Sequence, residues 1–215
     1  MLHVQVFTCN MVEENTYIIH DTATREAAII DCGALYPHEQ KNLLDYIQEH
    51  ELRIVHLLNT HGHFDHVFGL QWASETFGVR PMLHQAEETL YLAAEEGLKL
   101  FFPHPFPLPV PPIGKLLQEG DSIPLGEHNL KVLFTPGHTP GGVCFYDEQA
   151  AVLLAGDSLF QENIGRCDLP GGNLSTLLQS LRDKLLPLPD AVVVYPGHGP
   201  STTIGHERKY NPYLQ

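Results

Sequence analysis

The sequence predicts an α+β protein, built as an αβ/βα sandwich of two mixed β-sheets flanked by helices. Three observations carry this. Short apolar runs rich in β-formers recur in both halves of the chain. Stretches with helical spacing fall between them. Several of the runs stop in a small-residue turn that holds a metal-competent side chain. With 215 residues, 43% of them hydrophobic, one domain spanning 1–215 is long enough to bury a substantial core.

Residues 4–7, 16–19 and 27–30 read as strands separated by turn chemistry at Asn10 and over 21–25. Leu43, Leu44, Ile47 and Leu52 follow at helical spacing, with Pro37 suited to a first turn. Residues 54–59 form a buried-strand pattern. Val67, Leu70, Trp72, Ala73 and Phe77 then predict a helix whose first turn carries Asp65 and His66. Met82 and Leu83 fit a short strand, and 86–100 reads as helix. Residues 101–112 contain six prolines, which forbid a regular helix and favour a stiff surface loop or lid with Phe101, Phe102 and Phe106 on it. Strand patterns resume at 122–125, 130–134, 143–146 and 152–154. A helix over 175–185 precedes a last strand at 191–195.

Twelve basic against 26 acidic residues give a formal charge of −14, which excludes a nucleic-acid footprint and attraction to anionic membranes. No run approaches the roughly 18 apolar residues of a membrane span, and the first residues lack a basic, apolar leader. Cys9, Cys32, Cys144 and Cys167 are scattered without metal or redox spacing, as expected of free thiols in a reducing, cytoplasmic compartment.

The densest chemistry is His61-Gly62-His63-Phe64-Asp65-His66, directly after the buried strand. Three imidazoles and a carboxylate in six residues suit zinc, and also iron or manganese. Three further β-runs end in turns with one donor each: Pro136-Gly137-His138, Gly156-Asp157-Ser158 and Pro196-Gly197-His198. Ile29-Ile30-Asp31-Cys32-Gly33 repeats the pattern with a carboxylate.

His61-x-His63-x-Asp65-His66, then His138, Asp157 and His198, with Asp31 upstream, resembles the metallo-β-lactamase superfamily in full motif order. Within it, the chain is similar to short, single-domain relatives of the hydroxyacylglutathione hydrolases (glyoxalase II). The tail from Tyr195 to Arg208 is also very like theirs, and the resemblance runs from Asp31 to about Leu214. It implies a two-metal centre: His61, His63 and His138 on one metal; Asp65, His66 and His198 on the other; Asp157 bridging both. Asp31 would fix a ligand imidazole through its other nitrogen, and Asp65 could also orient the attacking water. The implied reaction is hydrolysis of a small-molecule thioester such as S-lactoylglutathione.

Arg166, in Gly165-Arg166-Cys167-Asp168, matches a basic residue that binds glutathione in that family. Its other reading is an ion pair with Asp168, which stands where those enzymes carry a Tyr. The family's helical C-terminal glutathione-binding domain is not expected in a chain that stops at Gln215. The same Gly-Arg-Cys-Asp segment resembles a persulfide dioxygenase branch, which would hold one iron on His61, His138 and Asp157; Cys167 would then bear on sulfur chemistry, or serve simply as a packed thiol. A lactone or ester hydrolase, and a non-catalytic metal-stabilised binding protein using the proline-rich loop, are further alternatives. His84 and His104 are secondary candidates for the substrate mouth, with packing or surface roles favoured.

Overall fold

A computed structural model describes Met1–Gln215. Two six-stranded mixed sheets lie face to face. The first comprises β1 (Leu2–Cys9), β2 (Glu14–Asp21), β3 (Glu26–Ile30), β4 (Arg53–Leu58), β5 (Pro81–His84) and β6 (Lys115–Leu117), in that spatial order. The β1–β2–β3 ribbon is antiparallel, and β3 to β6 run parallel. The second sheet is built from β7 (Ser122–Leu125), β8 (His128–Phe134), β9 (Val143–Asp147) and β10 (Val152–Gly156). A two-strand ribbon, β11 (Leu159–Phe160) and β12 (Asn163–Ile164), stands apart. The second sheet is completed by β13 (Val193–Pro196), parallel to β10, and the edge strand β14 (Thr202–Thr203).

The strand sequences explain the layering. In β2, Tyr17 and Ile19 enter the core between the sheets, while Ile18 faces the outer core; in β3, Ala28 and Ile30 face inward and Ala27 and Ile29 outward. Likewise Val152 and Leu154 of β10 point between the sheets, and Leu153 and Ala155 point to the far side. Segments covered by apolar cores on both faces are apolar at successive positions, which is why residues 17–19, 27–30 and 152–155 read as continuous rather than alternating.

Helices α1 (Pro37–Glu49), α2 (Leu70–Phe77), α3 (Glu88–Leu92) and α4 (Ala94–Lys99) cover the first sheet. The start of α1 is fixed by Pro37 and by Glu39, whose Oε2 accepts from the Tyr36 N–H at 2.9 Å. Helices α5 (Leu174–Ser180) and α6 (Ile204–Tyr210) lie on the second sheet. No helix is long and apolar enough to cross a membrane.

Two expected helices differ. Asp65 and His66 sit in a separate 3₁₀ turn, Phe64–His66, and α2 begins only at Leu70. Asn59 Nδ2 donates to the His66 carbonyl and Asn10 Nδ2 to the Asp65 carbonyl, both at 3.1 Å. Side chains thus take the acceptors a helix would have used. The 86–100 stretch is broken at Ala93, between α3 and α4. The proline-rich loop is strapped down by Tyr91, whose hydroxyl donates to the Pro111 carbonyl at 2.6 Å, and by the Leu108 N–H, which donates to Glu95 at 3.2 Å. Phe102 and Phe106 pack against the outer core beneath it.

Candidate metal centre

Donors from four loops converge at the strand ends of the two sheets. His61, His63, Asp65 and His66 follow β4; His138 follows β8; Asp157 follows β10; His198 follows β13. Two glycines make the approach possible. Gly156 turns with φ +48°, and a Cβ there would strike Thr60; a Cβ on Gly197 would strike the Asp157 carboxylate and the His66 ring. The His198 loop is held against the first sheet from the other side. The Asn15 N–H donates to the Gly197 carbonyl at 2.7 Å, Asn15 Nδ2 to the Gly199 carbonyl at 2.8 Å, and the Tyr17 hydroxyl to the Pro196 carbonyl at 2.7 Å.

The donors fall into two sets. His61, His63 and His138 bring their nitrogens together, with His63 Nδ1 only 3.0 Å from His138 Nε2. Asp65, His66 and His198 form the other set, with Asp65 Oδ2 3.2 Å from His198 Nε2 and 3.6 Å from His66 Nε2. Asp157 lies between them. Its Oδ1 is 3.5 Å from His66 Nε2, and its Oδ2 is 3.5 Å from His138 Nε2 and 3.8 Å from His198 Nε2.

Outer hydrogen bonds decide which nitrogen of each ring is free. Thr60 gives its hydroxyl hydrogen to Asp31 (Oγ1 to Oδ2 2.6 Å), so towards His61 Nδ1, 3.0 Å away, the same oxygen accepts. That places the His61 proton on Nδ1 and leaves Nε2 with its lone pair. His138 Nδ1 donates to the Arg166 carbonyl at 2.7 Å, which frees its Nε2 in the same way. Asp31 Oδ2 is also 3.2 Å from His66 Nδ1, so one buried carboxylate orients His66 directly and His61 through Thr60. The structure places Asp31 beside His66 and, through Thr60, beside His61.

His61 Nε2, His66 Nε2 and Asp157 Oδ1 are buried and have no hydrogen-bond partner. Buried polar atoms are normally paired, and three orphans aimed at one volume fit a cation there. The protonation pattern agrees. Burial, with His66 next, keeps His61 well below the usual imidazole range, and burial with His138 takes His63 down to about 3, so both stay neutral donors. Burial opposes charge on His66 and Asp157 too, but mutual attraction wins: Asp65 and Asp157 raise His66, and His66 lowers Asp157. A cation between the donor sets would offset the same carboxylate charges that raise His66.

Two acids not singled out in the sequence support the loops. Glu87 is fully buried, accepting from the Gly62 N–H at 3.0 Å and the Gly141 N–H at 2.6 Å, so it ties the His61–His63 loop to the His138 loop. Burial pushes its carboxyl up to about 7, against the pull of those donors. Glu14, also fully buried, accepts from Thr16 Oγ1 at 2.9 Å and stands 3.9 Å from His66 Nδ1. Neither lies in a motif; only Thr60, adjoining His61, had a local signal.

A cleft of about 370 Å³ opens over the donors, bounded by Val12, Phe101, Phe160, Asn163, Arg166 and Leu169, and no Ser, Thr, Cys, Lys or Tyr lines it. Arg166 reaches its edge, but its guanidinium is held by Asp168 in two bonds, Nε to Oδ1 at 2.7 Å and Nη2 to Oδ2 at 2.8 Å. The internal ion pair is therefore the reading the structure supports. Cys167 donates to the Gly165 carbonyl at 3.4 Å and is half-buried outside the cleft lining. His84 stacks on Phe134 with ring centroids 4.2 Å apart, and His104 is exposed on the proline-rich loop; neither reaches the cleft.

Comparison with known proteins agrees with this geometry. The Metallo-beta-lactamase superfamily profile matches residues 11–198. Hydroxyacylglutathione hydrolase GloC of Haemophilus influenzae is 36% identical over 220 residues, covering 99% of this chain and 98% of its own. Among solved structures, BLEG-1 B3 metallo-beta-lactamase superposes with a TM-score of 0.90 at 35% identity, covering 99% of this chain and 100% of that one. TTHA1623 in a di-iron-bound form gives 0.86 at 36% identity, covering 98% and 100%. With its paired sheets, its motif order and these relatives, the chain belongs to the metallo-beta-lactamase superfamily of metal-dependent hydrolases.

Proposed function

We propose that this chain hydrolyses a small-molecule thioester at a pair of divalent metals, in the manner of glyoxalase II. The observation that carries the reading is Asp157, one carboxylate with an oxygen towards each donor set. His61, His63 and His138 would hold one cation, and Asp65, His66 and His198 the other, with Asp157 shared. The nitrogen and oxygen donors suit zinc first, and iron or manganese equally in kind; the di-iron form of TTHA1623 shows a relative of this fold with iron.

The chemistry a divalent pair supplies in such a site is an acidified water and a polarised carbonyl, sufficient for acyl transfer to water. The chain does the rest. Asp31 and Thr60 orient His61 and His66, so their Nε2 atoms point inward without rearrangement of the rings. Asp65, held by His198 at 3.2 Å, offers a carboxylate edge in the cleft that can accept a proton of the attacking water. The lining has no hydroxyl, thiol or amine to serve as a covalent nucleophile, and no dedicated acid beyond the donors themselves. That favours a leaving group needing little protonation, and a thiolate with a free pKa of about 8.5 meets the requirement better than an alkoxide.

GloC supports glutathione as the first thiol to test. Four free cysteines, three of them buried, support a reducing compartment as the place of action. The test is release of thiol from S-D-lactoylglutathione by zinc-, iron- or manganese-loaded protein, abolished by a chelator and restored by metal. Failure to cleave any thioester, with oxygen uptake on glutathione persulfide, would transfer the chain to the one-iron dioxygenase reading.

A further inference from the structure

A second cleft, of about 350 Å³, lies beside the metal cleft and shares His63, Phe64, Phe101 and Leu169 with it. Its far wall comes from α3 and α4 and the residues that follow: Leu90, Ala94, Gly97 and Leu100. Leu100 and Phe101 are exposed there, at 64% and 43%, although large apolar side chains at a solvent boundary lose free energy unless something covers them. The one charged lining residue, Glu96, is paired with Lys99 at 2.5 Å. No Lys or Arg lines this cleft. The metal cleft, in contrast, has a polar end at Asn163 and Arg166.

We infer that the two clefts divide the substrate, the metal cleft taking the polar thiol carrier and the apolar cleft taking an extended hydrocarbon acyl chain. This rests on the thioester reading above and narrows it to acyl groups longer than lactoyl. Two features identify the occupant. The cleft abuts the donors through His63 and Phe64, so a chain attached to a carbonyl at the metals would run along it. Its surface offers neither a cation nor an uncompensated acid, which disfavours a charged moiety such as the carboxylates of glutathione and leaves a methylene chain as the complementary group.

The test uses N-acetylcysteamine thioesters from acetyl to decanoyl on metal-loaded protein. Alongside the rates, calorimetry measures binding of the matching non-hydrolysable 2-oxoalkyl thioethers. Each methylene removed from water in the cleft should raise kcat/KM and tighten Kd by about three- to fourfold until the cleft is filled. Gly97→Leu fills the space, since a Cβ there meets only Phe64 Cδ1 at 3.9 Å and the position is helical. It should collapse the octanoyl-to-acetyl ratio in both readouts. Leu100→Asp, at an exposed position on the same wall, should do the same by placing a charge in the cleft. Cleavage with rates and affinities independent of chain length overturns the acyl assignment alone. No cleavage at any length overturns the thioester reading and the acyl assignment with it.

Discussion

Asp31→Asn isolates the oriented-ligand network from the ligands themselves. Asp31 is 2% exposed and accepts the Thr60 N–H at 2.7 Å and the Thr60 hydroxyl at 2.6 Å, while facing His66 Nδ1 at 3.2 Å. Its φ of +50° lies in the left-handed region, which Asn also tolerates, so the substitution keeps backbone and shape. What changes is charge and one acceptor edge. An amide nitrogen turned towards Thr60 or His66 meets a donor, and a hydrogen bond to a charged group is worth about 1.5–3 kcal/mol. Loss of such an outer partner lowers metal affinity by about 10- to 100-fold. His66 is oriented directly and His61 through Thr60, so both cations should weaken, with kcat/KM falling in proportion at limiting metal and recovering in part at excess metal. Titration of metal-depleted protein against a competing chelator, resolved into two binding steps, reads the effect. Unchanged affinity at both steps would refute the orienting role of Asp31.

Further outcomes follow from the same geometry. Gly197→Ala forces a methyl group into Asp157 and the His66 ring, so the second cation should be lost while circular dichroism stays native; two metals of ordinary affinity would contradict the close approach. Asp21, buried and accepting from the backbone N–H groups of Ala23 and Glu127 at 3.0 and 2.9 Å, has its carboxyl held well below the usual range, first by the Ala23 bond and then by the Glu127 bond. A depressed carboxyl stabilises the fold above its unfolded pKa of about 3.9, and that contribution fades as pH falls towards the folded value. Asp21→Asn should therefore cost about 2 kcal/mol in urea unfolding at pH 7, with the gap to the parent narrowing below pH 4; a gap constant with pH would reject the charge as its cause.

Much of the fold was legible because burial on both faces writes itself into residues 17–19 of β2, 27–30 of β3 and 152–155 of β10 as unbroken apolar runs. The donors were legible for a related reason: Gly and Pro flank them at strand ends, where only tight turns bring side chains from different strands together. The supports were not. Glu87 and Glu14 look like surface acids in sequence, and their meaning appears only when distant loops close over them. The Phe64–His66 turn reads in sequence as the start of a helix because the partners that detach it, the Asn59 and Asn10 amides 7 and 55 residues from the carbonyls they reach, leave no local pattern. Short elements such as β6, β11, β12 and β14 carry too few residues to show periodicity. The apolar cleft likewise joins α3 and α4 to Leu169, a juxtaposition no local pattern encodes.

The central claim is that Asp157 joins two donor sets into one hydrolytic centre. Metal analysis of the purified protein and of Asp157→Ala, with thioester hydrolysis on the same samples, tests it most directly. Two metals per chain in the parent, no more than one in the variant, and loss of turnover are predicted. Two metals and full turnover in the variant would contradict it.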